Sequence, residues 1–258
     1  MKQFLKYSLL ISAFSTSVMP AFSQNEGDYR TSASGSWSDI GIWEIYDGTT
    51  WRGSEVSPQS TDGMITILAE NHVSLTSHLD FDQLNIEGSL TVCDGTVMTL
   101  EGDIMVNGIL TIDGILFCGS NNVHGSGAFF LNPEATLQIG SAEGITASGS
   151  KGNIQVYNRL FSRSANYVYS GNEAQVTGNG LPAPMLDGIL TLDNRQGCSL
   201  SRNIVISNQL ILAEGVFCLN GNTLTVGSDN LISRTEGSVG LCGGMIQGSI
   251  SPLLINAN

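Results

Sequence analysis

Leu84-Asn85-Ile86, Glu87-Gly88-Ser89, Leu90-Thr91-Val92 is a nine-residue unit: aliphatic-x-aliphatic, a three-residue corner, then Leu-x-aliphatic. It returns 20 residues later as Ile104-Met105-Val106, Asn107-Gly108-Ile109, Leu110-Thr111-Ile112. A third copy, Ile204-Val205-Ile206, Ser207-Asn208-Gln209, Leu210-Ile211-Leu212, begins 100 residues after the second. Alternation of period two marks strands, because successive side chains on a strand point to opposite faces. A fixed step near 20 with Gly or Asn at the corner marks a solenoid.

The Leu-x-aliphatic half of the unit recurs alone at Leu137-Gln138-Ile139, Leu190-Thr191-Leu192 and Leu224-Thr225-Val226. Leu190 and Leu210 are again 20 apart, and Leu210 and Leu224 are 14 apart, which with the internal step of 6 restores the period. The spacing predicts a rung with two faces, Leu and the next aliphatic inward, Thr or Gln outward. Stacked rungs then set like over like at about 4.8 Å, and each rung's backbone groups pair with the rungs on either side. The crossover rule for parallel strands makes the coil right-handed. Asp-Gly at 47, 62, 94, 113 and 187, and Asn-Gly at 107, 179 and 220, supply corner residues that tolerate positive φ. No segment sustains a helical apolar stripe.

Composition agrees. Glycine is 31 of 258 residues and charged residues are 13%, against about 7% and about 25% in ordinary globular chains. The start has the form of a secretory signal: Lys2 and Lys6, an apolar run from Tyr7 to Val18, then Ala21-Phe22-Ser23 before Gln24. That run is shorter than the roughly 20 residues a membrane-spanning helix needs. The expectation is a signal peptide over 1–23, removed on export, with no membrane insertion afterwards. From Gln24 on, 8 Lys+Arg stand against 23 Asp+Glu, a formal charge of −15. Such a surface repels nucleic acid.

Residues 24–64 read as a distinct N-terminal segment. Trp37, Trp43 and Trp51 all fall here, with Tyr29 and Tyr46. The first rung of a solenoid has an open edge and an open apolar end that need a cover, so the segment reads first as a cap. The sharper alternative is a platform of Trp37, Trp43 and Trp51 on which sugar rings stack. The solenoid then occupies 65–258, with longer loops expected over 118–182. Pro252 to Asn258 ends without a polar cap, which suggests a truncated chain. The five cysteines, Cys93, Cys118, Cys198, Cys218 and Cys242, contain no C-x-x-C pair, which argues against zinc. They read mainly as small apolar residues of the coil interior, with two disulfides and one thiol as the alternative in an oxidising compartment.

Two stretches resemble the secreted bacterial β-strand-repeat surface proteins. The first is Gly35-Ser36-Trp37, Trp43, Gly48, Trp51, Pro58 and Ile65-Thr66-Ile67. The second is Tyr167-Val168-Tyr169-Ser170-Gly171, Gln175-Val176-Thr177-Gly178 and Gly180-Leu181-Pro182, followed by Leu190-Thr191-Leu192, Asn194, Gly197 and Leu200-Ser201. The resemblance implies a parallel β-helix rod on a bacterial surface, exported in many such proteins by the type IX route with a separate C-terminal sorting domain. No sorting domain is visible in this sequence. The leading segment also resembles, more loosely, G8-type extracellular modules. The family brings no catalytic motif.

Candidate chemistry is sparse. Parallel β-helices include polysaccharide-cleaving enzymes, which use acidic metal ligands or paired carboxylates on an outer face. Asp80 and Asp82 share one strand face, and Glu101 and Asp103 repeat that spacing one step on, so these four are the candidate calcium ligands. No other cofactor is expected. His72 and His78, six apart, form a weaker candidate metal pair. Thr91, Thr111, Thr191 and Thr225 would line one outward column, the geometry an ice-binding face requires, though Gln138 and Ile211 interrupt it. There is no nucleophile elbow, phosphate loop or dinucleotide fingerprint. The expectation is an all-β, right-handed parallel β-helix acting as a secreted, non-catalytic surface scaffold or adhesin, monomeric or part of a longer chain. The alternative is a protein that binds or cleaves a cell-surface or environmental polysaccharide.

Overall fold

The computed structural model describes residues 24–227, 232–248 and 255–256, so the expected signal segment and most of the last seven residues lie outside it. Among the described residues there is no α-helix, and a single 3-10 turn, Ile40–Ile42, lies among short strands. The chain winds into a parallel β-solenoid of about nine turns with steps near 20 residues.

A regular turn carries three strands, not two. Face one is built from Ile65–Ile67, Leu84–Ile86, Ile104–Val106 and Val123–His124. Face two stacks His72–Leu75, Ser89–Val92, Ile109–Ile112, Ala128–Leu131 and Asn158–Phe161. Face three runs from Leu79–Phe81 to Ile232–Arg234 through eight strands. The sequence reading missed the third strand of the turn because strands such as Ile115–Phe117 and Val216–Cys218 turn only their middle residue, Leu116 or Phe217, into the core. Their apolar outer neighbours hide the alternation.

Register follows the predicted like-over-like rule. Leu90 lies beside Leu110, Thr91 beside Thr111 and Val92 beside Ile112; Leu190 lies beside Leu210, and Leu224 beside Ile204. Leu90, Val92, Leu110, Ile112, Leu190 and Leu210 are fully buried. Each such side chain contributes about 1.5–3 kcal/mol of transfer free energy.

The three copies of the nine-residue unit are not equivalent. The first two cross from face one to face two. The third crosses into face three, because the first two ladders stop at His124 and Phe161 and new ones replace them. Gln175–Val176, Cys198–Ser199, Val216–Cys218 and Ser238–Gly240 form one replacement sheet, each strand following a face-three strand in the chain. Met185–Leu186, Ile204–Ile206, Thr223–Val226 and Met245–Gly248 form the other, the first three each preceding a face-three strand. Face three alone is paired continuously across the changeover, through Asn166–Tyr169 and Ile189–Asp193.

The changeover lies in the irregular stretch expected over 118–182. Leu137 pairs with Tyr167, a step of 30, and Ile154 makes an isolated bridge to Val123. The Arg159 guanidinium holds this wide loop, donating to the carbonyls of Thr146 at 3.2 Å, Gly149 at 2.7 Å and Ile154. Buried amides line the adjacent corner. Asn153 Nδ2 donates to the Gly119 and Asn121 carbonyls, Gln175 Nε2 to those of Ile139 and Ser141, and Asn194 Nδ2 to the Glu173 carbonyl and to Gln175 Oε1. Each amide satisfies carbonyls of the neighbouring turn that the strand ladder leaves open, as buried polar groups require. Tyr167 and Tyr169 of the second resemblance stretch point inward, their hydroxyls donating to the Ser162 and Thr177 carbonyls at 2.6 and 2.7 Å.

Corner glycines are selected here by close approach. A Cβ on Gly108 would strike the Gly88 carbonyl, and one on Gly127 the Gly108 carbonyl. Gly95 is different: its φ is +72° and its surroundings are open. Positive φ, the property read from the turn dipeptides, therefore explains Gly95 and not Gly108.

At the N-terminal end, Tyr29–Thr31 pairs parallel with Ile65–Ile67 and antiparallel with Trp43–Tyr46, which pairs with Trp51–Gly53. The hairpin covers the open edge of face one. Trp37 and Trp43 fill the end of the core, their indole N–H groups donating to the Pro58 carbonyl at 3.0 Å and the Trp37 carbonyl at 2.8 Å. Near the other end Cys218 and Cys242 of adjacent turns are joined by a disulfide, with Cα atoms 5.6 Å apart. Cys118 and Cys198 are buried thiols, as the apolar reading expected; Cys93 is a half-buried thiol.

Candidate functional site

The four acids of the calcium reading are not brought together. Asp80 pairs in register with Thr99, 19 residues on, whereas Glu101 is 21 residues on and so falls beyond it. Asp103 is committed to the next turn: its Oδ1 accepts from the Asn122 backbone N–H at 2.7 Å and from Asn122 Nδ2 at 3.2 Å. Among the described residues no group of three or more His, Cys, Asp or Glu side chains is placed to hold a metal. His72 and His78 also act singly. His72 Nδ1 meets Ser89 Oγ at 2.5 Å, and His78 Nδ1 accepts from the Val97 N–H at 2.8 Å.

The threonine column does not form. Thr91 and Thr111 lie on face two and Thr191 on face three, while Thr225 belongs to the sheet that replaces face two. The run of outward side chains through Thr191 is mixed: Thr99, Phe117, Gln138, Val168, Thr191, Ile211. The sequence had aligned these residues by motif, and motif position does not fix the face.

The tryptophan platform divides. Trp37 and Trp43 are each 1% exposed and belong to the core, so they present no face to a ligand. Trp51 is the remaining candidate. It lies on the hairpin, 5.3 Å from the Tyr46 ring, with the Arg30 guanidinium 4.4 Å from its centroid. Arg30 is paired with Glu44, both Nε and Nη2 lying 2.8 Å from Glu44 Oε2.

Trp51 and Arg30 rim an open cleft of about 500 Å³ over the outer side of face one. Register builds its floor: Arg30 pairs with Thr66 and Thr66 with Asn85, so three adjacent strands present one side chain each. The far wall is the segment before the first strand. There Asp28 is buried and fixes the backbone, its Oδ1 accepting from the Met64 N–H at 3.0 Å and its Oδ2 from the Asn25 N–H at 2.8 Å. Glu26 adds a second carboxylate to that wall.

Asn85 is the residue that sequence reasoning passed over. It is 6% exposed, and its Oδ1 is the one buried side-chain polar atom without a hydrogen-bond partner among the described residues. Its only sequence signal was an asparagine at the centre of a strand, a position that disfavours it. The apolar equivalent, Met105, is next to it in the ladder.

No family model matches the chain, and no curated protein or solved structure is significantly similar to it.

Proposed function

We propose that this protein is a secreted, non-catalytic scaffold displayed at a cell surface or in a surrounding matrix, of the kind the β-strand-repeat resemblance implies. The observation that carries the reading is the ladder itself. One core runs from Trp37 near the first turn to Val239 near the last, and consecutive turns pair strand to strand with aliphatic residues stacked in register. Such a structure holds a fixed distance and presents repeated surfaces, and its stability comes from the stack rather than from a partner. A disulfide between adjacent turns suits an oxidising compartment. Limited proteolysis of intact producing cells tests the proposal. Peptides from residues 24–227 should be released while cytoplasmic marker proteins stay protected. Recovery of the uncleaved chain, with Met1 to Ser23 attached, in the cytoplasmic fraction would refute it.

A further inference from the structure

We infer that the cleft beside Trp51 is a binding site for a neutral, hydroxyl-rich sugar residue, with Asn85 as its central hydrogen-bonding group. A buried amide oxygen without a partner costs about 1–3 kcal/mol, and Asn85 Oδ1 is such an atom, on a residue that lines the floor of an open cleft. A ligand donor satisfies it once the Asn85 amide turns toward the cleft. The cleft volume lies within the range of about 300–1,000 Å³ found for small-molecule sites.

Charge narrows the class. Arg30 is the one side-chain cation among the lining residues, and its charge is matched by Glu44 and covered by Trp51. Glu26 and Asp28 leave the site with an excess of carboxylate. A phosphate, sulfate or uronate therefore meets repulsion from these carboxylates with no unpaired side-chain cation to offset it. A sugar hydroxyl donates to Asn85 Oδ1 without bringing charge, and its neighbouring hydroxyl can accept from the same side-chain amide. Thr66, next in the ladder, offers a second hydroxyl contact, and the Trp51 ring and Met64 supply the apolar wall that a pyranose C–H face needs. The inference does not depend on where the protein acts, so it stands or falls separately from the surface-scaffold proposal.

Trp37 and Trp43 are buried with their N–H groups engaged, which leaves Trp51 as the indole whose emission a ligand can change. The test is a fluorescence titration of the purified protein with glucose, galactose, mannose, N-acetylglucosamine and their β-linked oligomers, alongside glucuronate and glucosamine. At least one neutral sugar should bind with Kd near ~1 mM or tighter, and both charged sugars at least ~10-fold more weakly, about 1.4 kcal/mol. Asn85→Leu should weaken that binding at least ~10-fold while its melting temperature stays level or rises, because the unpaired buried acceptor is gone. Asn85→Ala, which adds no bulk, should lose binding in the same way should the leucine variant fold poorly. Flat titrations with every neutral sugar up to ~50 mM, tighter binding of a charged sugar, or full binding by both Asn85 variants would overturn the inference.

Discussion

At the scale of single residues, two glycines that look alike in sequence do different work. Gly95 needs a positive φ, and Asn tolerates that region, so Gly95→Asn should cost under about 1 kcal/mol. Gly108 needs the absence of a Cβ, because the Gly88 carbonyl occupies that space. Gly108→Ala should cost about 1–3 kcal/mol in urea unfolding, and Gly108→Asn at least as much. Equal losses for Asn at both positions would contradict this division. Asp47 gives a residue-level prediction in pH. The backbone N–H of Thr50, then the hydroxyl and N–H of Thr49, hydrogen-bond its carboxylate and lower its pKa to about 2. A lowered folded pKa gives stability that is complete above the unfolded value, near 3.9, and is lost as pH falls through the folded one. The hairpin turn should thus hold at pH 4 and loosen toward pH 2, which a carboxyl-resolved NMR titration reads directly. The sequence displayed the Asp47-Gly48 turn. It could not display the Gly88–Gly108 approach, since that contact exists only once two turns stack.

At the scale of elements, face one and face two were legible in the nine-residue unit because each inward pair is aliphatic and recurs at a fixed step around a Gly corner. The third strand was not, because Ile115 and Phe117 flank the inward Leu116 with apolar side chains. The tryptophan-rich segment was legible as a cover for the first turn, but not its division of labour: burial of Trp37 and Trp43 left Trp51 alone at the surface. Asn85 stayed hidden for the opposite reason, since a lone asparagine in a strand carries no spacing to compare. The cysteines separate in the same way. Reducing the Cys218–Cys242 bridge, which closes a loop of 24 residues, should destabilise the protein by about 3 kcal/mol in the chain-entropy treatment. Chemical unfolding with and without reductant measures it, and no shift in the midpoint would count against the bridge. Burial pushes the Cys198 thiol up to about 12 and the Cys118 thiol further. A thiol reacts as its thiolate, so iodoacetamide should leave both unlabelled in the folded protein and modify Cys93 first. Mass spectrometry after labelling at pH 8 decides this.

At the scale of the whole molecule, the stack makes neighbouring turns the unit of cohesion. Leu110 is fully buried between Leu90 and Phe129 of the adjoining turns, so Leu110→Ala should cost about 2–5 kcal/mol and be felt by three turns at once. Hydrogen exchange should show protection falling in the strands that hold Leu90, Leu110 and Phe129 while the strand of Leu224 keeps its protection. The changeover between the early and late sheets has a mechanical meaning. The boundaries between turns from Ile65 to Ile139, and again from Gln175 to Arg234, are sewn by parallel ladders on all three faces, whereas this one is sewn by face three, the Arg163–Asp187 ion pair and the hydrogen bonds of irregular backbone. Exposed ion pairs add little. A tensile load along the rod therefore concentrates at one seam, so the molecule is less a uniform cable than two stiff segments joined by a strip hinge, and it would yield there first.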